Sequence, residues 1–506
     1  MVEGERVISS SLWERLPALL AATMLAPLLA GCIVTADKLD PALDIADKYG
    51  NAKKGDPKAA LPPLAWWRGF RSAELTDLME QAQIANLDIA VAIANIVQAD
   101  GLARQAGAAL LPDITGQGTY TRSRASANTG TNAIAVTDRT NYNTTFSVSY
   151  VLDFWGRNRA LVRAAEDNVS ALRFAREVTA LTTLVTVAET YFMVLEAQDR
   201  IRVANENVAA AERILKVILD RRAVGGAAPL GAAVGASGSG SDLDVAQQAS
   251  LVAIARAAIP PLVEQEEQNR AALALLIGRS PEHVKVRGGS MYRLAIPRIT
   301  PGLPSQLLTQ RPDVREAEIQ LAQADANVEA ARAAFLPTIQ LTGSGGFSSA
   351  ALKNLFTQSS GFYSVAPSIA GSLAAGVAQP IFDGGMLLGE LDQQKGIREQ
   401  MLAQYRKAVI SAFTDVEKAL AGVEQLAIQE VLQRRAVAEA RRAFELSEQK
   451  FRAGALDLTT LIQVEQTFFT QEDLLAQDRF NRLVAIVTLY QALGGGWILD
   501  TEPKRP

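Results

Sequence analysis

Three landmarks occur twice in this 506-residue chain, in one order and at nearly one spacing. Leu111-Pro112 ends a helical pattern and opens a strand-like one, and Leu336-Pro337 does the same 337 − 112 = 225 positions later. Phe154-Trp155-Gly156 and Phe382-Asp383-Gly384-Gly385 close the strand-like stretches, 385 − 156 = 229 apart. Leu275-Leu276-Ile277-Gly278 and Tyr490-Gln491-Ala492-Leu493-Gly494 close helices, 494 − 278 = 216 apart. A tandem repeat confines the fold to one unit used twice. Each half reads as helix, hairpin, long helix, short turn, helix. The first repeat covers 74–285 and the second 303–497, with an N-terminal segment 32–73 and a tail 498–506.

The hairpins carry strict alternation. Tyr142, Phe146, Val148, Tyr150, Leu152 and Phe154 interleave with Asn143, Thr145, Ser147, Ser149 and Asp153. That period of two gives a strand one apolar and one polar face. Ile114 and Tyr120 against Thr115, Gln117 and Thr119 repeat the pattern, as do Ile339 and Leu341 against Gln340 and Thr342. Val365, Ile369, Leu373 and Val377 mark a fourth strand. Strands are expected over about 112–124, 140–154, 337–347 and 364–382. Membrane strands need about 9–11 tilted residues with an apolar lipid face. An ordinary sheet packed on one face would give the same alternation.

The helices tip that balance toward a membrane channel. Proline-free helical patterns run over about 157–222 and 385–452. At about 1.5 Å per residue each extends on the order of 100 Å. Shorter helices are expected from Glu74 to Leu110, over 242–277 and over 457–493. Four strands cannot close a barrel, and an open sheet edge is forbidden in lipid. Two chains would supply eight strands, whose interior side chains fill the space. Three supply twelve strands and twelve helical columns and leave a lumen, so a symmetric oligomer of a mixed membrane α+β protein is expected, with three copies inferred from size.

Composition removes other functions. One His and one Cys exclude an intrachain disulfide and leave little for His/Cys metal sites or a Ser-His-Asp triad. No metal site or cofactor is expected beyond a lipid, and no enzyme. His283 follows Ser280-Pro281-Glu282 in a polar linker and reads as a solvated surface residue. Lys+Arg 50 against Asp+Glu 54 leaves no basic footprint for nucleic acid.

The first residues read as an address. Arg6 and Arg15 precede an apolar run from Leu16 to Leu29, too short to span a bilayer and suited to a signal peptide. Leu29-Ala30-Gly31-Cys32 resembles the bacterial lipobox. The resemblance implies removal of 1–31 and a diacylated Cys32. Ile33, rather than Asp, after it implies sorting to the outer membrane. No later stretch holds 18 uncharged apolar residues, so no transmembrane helix is expected.

With these features the chain resembles the outer-membrane factor family, the TolC-like and OprM-like efflux proteins, in its lipoprotein branch. The motifs are Trp66-Trp67-Arg68-Gly69-Phe70 with Asn86, and Leu152-Asp153-Phe154-Trp155-Gly156-Arg157. Arg311-Pro312-Asp313-Val314 with Glu318, Pro380-Ile381-Phe382-Asp383-Gly384-Gly385 and Leu493-Gly494-Gly495-Gly496-Trp497 follow in order. Asp153, Trp155 and Gly156, then Asp383, Gly384 and Gly385, fall at the two strand-to-helix corners. Trp155 suits either a membrane interface belt or a packed corner. The resemblance implies a homotrimer in the outer membrane that extends into the periplasm: a trimeric channel-tunnel with a twelve-stranded barrel on a long helical barrel. It also implies a periplasmic adaptor and an inner-membrane pump, commonly of the resistance–nodulation–division class. Exported drugs and toxic compounds are the implied cargo, with protein secretion or metal efflux as alternatives. A periplasmic helical scaffold lipoprotein is the alternative of another class.

In such channels charged side chains hold the periplasmic tip shut. Lys450-Phe451-Arg452-Ala453-Gly454 resembles one tip turn, and Leu243-Asp244-Val245 the other. The resemblance assigns Asp244, Phe451 and Arg452 to the gate, where a solvated helix end is the plainer reading for the two charges. Gln463 and Thr460 stand where acidic residues are expected of relatives. The stretch 225–241 is Gly/Ser-rich, hence flexible, and longer than the corresponding family turn.

Overall fold

The computed structural model describes residues 50, 63–124, 138–225, 241–297, 299, 308–356, 362–364, 372–495 and 497. Cys32, the signal segment and the tail from residue 498 lie outside the described residues. The elements are α1 (Ala73–Ala85), α2 (Leu87–Ala108), β1 (Asp113–Arg124), β2 (Asp138–Leu152), α3 (Arg157–Gly225), α4 (Asp242–Ala257) and α5 (Ile259–Leu276). Then come α6 (Pro312–Ala333), β3 (Thr338–Ser349), β4 (Phe362–Ser364), β5 (Ser372–Ala378), α7 (Met386–Arg452) and α8 (Leu458–Ala492). The chain divides into two compact units.

One unit comprises 95–172 and 317–405 among the described residues and holds the sheet. All pairings are antiparallel: β1 on β2, β2 on β3, and both β4 and β5 on β3. The register aligns residues of like polarity across the strands. Ile114, Val148 and Gly343 stand opposite one another, then Tyr150, Leu341 and Ala375, then Leu152, Ile339 and Val377. On the other face Thr115, Ser147 and Ser344 align, as do Thr119, Asn143 and Ser348. Gly116 faces Phe146, whose ring would lie only 3.2 Å from a Cβ at that position. Tyr120 and Tyr142 pair directly, rings 5.0 Å apart. Every residue of β1 is exposed in the single chain.

The expected fourth strand, 364–382, differs. Its pairing to β3 is carried by β4 and β5, and residues 365–371, with Val365 and Ile369, lie outside the described residues. Pairing ends at Ala378 because Pro380 has no N–H to donate and restricts Gln379.

The corners repeat one device. Asp153 accepts from the N–H groups of Asn158 (3.0 Å) and Arg159 (2.9 Å), capping α3. Asp383 accepts from Gly385 and Leu387, each at 2.9 Å, capping α7. Gly156, Gly384 and Gly385 adopt φ of +81°, +66° and +90°, a region costly for side-chain-bearing residues. Half-buried Trp155 donates from Nε1 to the Pro337 carbonyl at 2.7 Å, tying the first corner to the start of β3.

The other unit comprises 50, 63–94, 173–316 and 406–497 among the described residues, and holds both hydrophobic clusters. In the first, Trp66 stacks on Tyr490 at 5.1 Å, and Phe70, Leu75, Met79, Phe192 and Leu195 are fully buried. The second joins Ile214, Ile218, Phe444, Phe451, Leu461 and Phe468. The helix expected from Glu74 to Leu110 is two helices. The Asn86 side chain accepts from Asp88 and Ile89 N–H at 2.9 and 3.0 Å, restarting the helix as a cap. It also donates to the Leu276 carbonyl, 2.8 Å away. Arg311 does the equivalent in the second repeat, donating to the Ala492 carbonyl at 3.3 Å. The helix expected over 242–277 breaks before Ile259, because Pro260 and Pro261 cannot continue the preceding ladder. Two helical stretches, Ala73–Ala108 and Arg157–Ala223, contain a window apolar enough to cross a membrane by length and composition. The first is interrupted at Asn86, and over half of the second's window is buried within the chain.

Loss of either corner cap should weaken the fold measurably. Asp153→Ala should lower stability by about 1 kcal/mol, and Asp383→Ala should lower it as well, each read as a lowered thermal midpoint. Asp383→Asn should recover most of that loss.

Candidate functional site

The turn from α7 to α8 closes on itself. Gly454, at φ +74°, lets its N–H reach the Phe451 carbonyl at 2.9 Å while Ala455 N–H reaches Lys450 at 2.9 Å. This satisfies the final carbonyls of α7. Asp457 then caps α8, accepting from Thr460 N–H (2.8 Å) and Thr460 Oγ1 (2.7 Å). Those bonds hold its carboxyl below the usual range. Phe451 is 1% exposed and sits in the second cluster. Arg221 of α3 lies 4.6 Å over its ring and donates to its carbonyl, so a cation–π contact and a charge-assisted bond fasten α3 to α7.

At the turn from α3 to α4, Arg222 pairs with Asp242 at 2.6 Å. Ser241 and Asp244 form a capping box, with Ser241 N–H donating to Asp244 at 3.0 Å and Asp244 N–H to the Ser241 hydroxyl at 3.2 Å. Residues 226–240 lie outside the described residues. Arg452 pairs with Glu448 one turn earlier on its own helix. Thus Asp244 caps its helix, Arg452 faces its own helix, and Phe451 is a core residue. Arg221 on Phe451 and Arg222 on Asp242 make contacts between elements here, and the sequence reading singled out neither arginine. Gln463 borders an open cavity of about 510 Å³ between α4 and α8, with Gln247, Ser250, Ile254, Thr459 and Gln466.

A second constellation was also missed. Glu430, fully buried, meets Arg482 at 2.6 Å, Arg479 at 3.3 Å and Arg434. Arg479 in turn donates to the Leu294 and Met291 carbonyls at 2.8 and 3.4 Å. Asp199 receives Met291 N–H at 2.9 Å and the Ser290 hydroxyl at 3.2 Å. These charges clamp the 290–294 segment onto α3, α7 and α8. Burial pushes the Glu430 carboxyl up, but Arg482, Arg434 and Arg479 outweigh it and hold the carboxyl below its ordinary value. Acid-plus-base pairs along a helix resemble solvated faces in sequence, so no signal distinguished this one. His283 is exposed and Trp66 and Trp67 are core residues.

Comparison with known proteins places this geometry. The model of the outer membrane efflux protein family matches residues 78–279 and 303–495. The chain is 35% identical to the pyoverdine export outer membrane protein OpmQ of Pseudomonas aeruginosa, over 94% of this chain and 96% of that one. It is 32% identical to the toluene efflux pump outer membrane protein TtgF of Pseudomonas putida, over 93% and 95%. The open-state MtrE outer membrane channel of Neisseria gonorrhoeae superposes with TM-score 0.78 at 27% identity, covering 91% of this chain and 98% of that one. The fold is that of an outer-membrane channel. The chain belongs to the outer membrane efflux protein family, a family of transport proteins rather than of enzymes.

Glu430→Gln should be strongly destabilising, by about 3 kcal/mol or more, since it strands the buried Arg479. The Glu430 contribution should be full above its unfolded value near 4.5 and fade as pH falls through the lowered folded value. Thermal midpoints of wild type and variant should therefore converge in acid.

Proposed function

We propose that the protein is the passive, gated outer-membrane conduit of a tripartite efflux system, working as a homotrimer. Three copies would close twelve strands into a barrel whose apolar face meets lipid and whose polar face lines water. The register of the sheet carries this reading: Tyr150, Leu341 and Ala375, then Leu152, Ile339 and Val377, align on one face, and Thr115, Ser147 and Ser344 on the other. Exposure of β1 along its whole length, and of Val91, Ile93 and Val97 on α2, favours a second copy as the missing neighbour.

A periplasmic adaptor would dock on the helical part, with an inner-membrane pump of the resistance–nodulation–division class behind it. The conduit does not select cargo. The names of the relatives, pyoverdine export and toluene efflux, favour small molecules over a secreted protein. Lipid on Cys32, with residues 1–31 removed, would add a second anchor in the outer membrane. In the resting state, Asp244, Phe451 and Arg452 would keep the periplasmic tip narrow. The bonds of Asp244 and Arg452 are exposed and individually worth about 0–1 kcal/mol, so adaptor contacts suffice to shift the population toward the open form.

Single-channel conductance tests this. Arg452→Ser combined with Asp244→Ala should raise the resting open level several-fold while the trimer stays intact by native mass. Wild-type conductance in that double variant would remove both residues from the gate. Mass spectrometry of the mature chain should find an acylated N-terminal Cys32.

A further inference from the structure

The helices beside the tip bury an ionisable group that the gate does not use. Glu465 of α8 is 1% exposed, and neither carboxyl oxygen has a hydrogen-bond partner. Gln248 of α4 is fully buried; its Nε2 donates to the Ala211 carbonyl of α3 at 3.0 Å, while its Oε1 has no partner. The Gln248 side chain is the uncharged polar group close enough to act on Glu465. Three unpartnered acceptor atoms are therefore buried on α4 and α8, an arrangement that costs the desolvation of each.

A single proton resolves all three. A neutral Glu465 can donate its O–H to Gln248 Oε1 and accept the second Nε2–H on its other oxygen. The first Nε2–H stays on Ala211. Every donor and acceptor of the pair is then used.

We propose that Glu465 is a proton-binding latch: neutral, it makes both bonds with Gln248 and fastens α4 to α8 and α3; ionised, it can no longer donate to Gln248 Oε1, which strands that buried acceptor and loosens α4. Its charged surroundings agree. The groups that act on it are Glu448 from α7 and Arg213 from α3, while α4 meets it with the uncharged Gln248. Burial first, then the Glu448 charge, push the carboxyl up to about 7, against Arg213 and Gln248. A carboxyl raised in the folded state stabilises the packed form in acid. That stability fades as pH rises from its ordinary value near 4.5 toward 7. The latch is therefore closed in mild acid and loosened above neutrality. Its bearing on gating rests on the conduit reading above.

Hydrogen exchange on the full-length protein in detergent tests the latch without using conductance. Rates are corrected for the intrinsic effect of pH. Wild-type amides of α4 should exchange at least about tenfold faster near pH 8 than near pH 5.5. Glu465→Gln and the volume-filling Glu465→Leu should abolish that difference. Gln248→Met, which removes the partner of the neutral acid, should bring exchange near pH 5.5 up to the alkaline wild-type rate. A pH-independent wild type, a difference that persists in Glu465→Gln, or full acid protection in Gln248→Met would each overturn the proposal. A failed gate would instead show in the conductance of the Arg452 and Asp244 double variant, leaving these exchange results unaffected.

Discussion

Backbone satisfaction in hydrocarbon is the constraint on which the rest depends. A sheet edge cannot stand in lipid, where each unpaired N–H or C=O costs several kcal/mol. The sheet of one chain has β1 on its outside, exposed at every residue. Its strands keep apolar residues together on one face and polar ones on the other through the register of β1, β2, β3 and β5. Closure by further copies satisfies both demands at once, which is why trimer and conduit stand or fall together.

The helices answer a different demand. Their two buried clusters rest on aromatic stacking, Trp66 on Tyr490 and Phe444 on Phe468, and on charge clamps such as Glu430 with its arginines. Corners and turns are set by short devices: a carboxylate cap at Asp153, Asp383 or Asp457, and a glycine at positive φ beside it. The tip combines a firmly packed half, around Phe451 and Arg221, with charges engaged locally at Arg452 and Asp244.

Much of this reads directly from the sequence. Period-two alternation from Tyr142 to Phe154 marks β2, and the proline-free pattern starting at Arg157 marks α3. Duplicated landmarks expose the repeat, and the glycines at the corners announce the backbone turns. The breaks were harder. Asn86 sits inside an apolar stripe and becomes a cap only because it also reaches Leu276 across the bundle. Pro260 and Pro261 did carry a local signal, which the longer apolar periodicity masked. Glu430 and Glu465 were not legible, since burial of a helix acid depends on which neighbours enclose it, and only tertiary packing decides that. The site residues chosen by resemblance were placed on the turns, but Arg221 and Arg222 make contacts between elements.

Accessibility of the two faces of β2 tests the central claim most directly. With Cys32 as the sole native cysteine, single cysteines at Thr145 and Phe146 can be probed in outer-membrane vesicles. A lumen-lining Thr145→Cys should react with a small water-soluble maleimide and block conductance once modified. A lipid-facing Phe146→Cys should resist that reagent and react with a membrane-partitioning one. Equal reactivity of both positions with the water-soluble reagent, with conductance unchanged, would contradict a barrel wall.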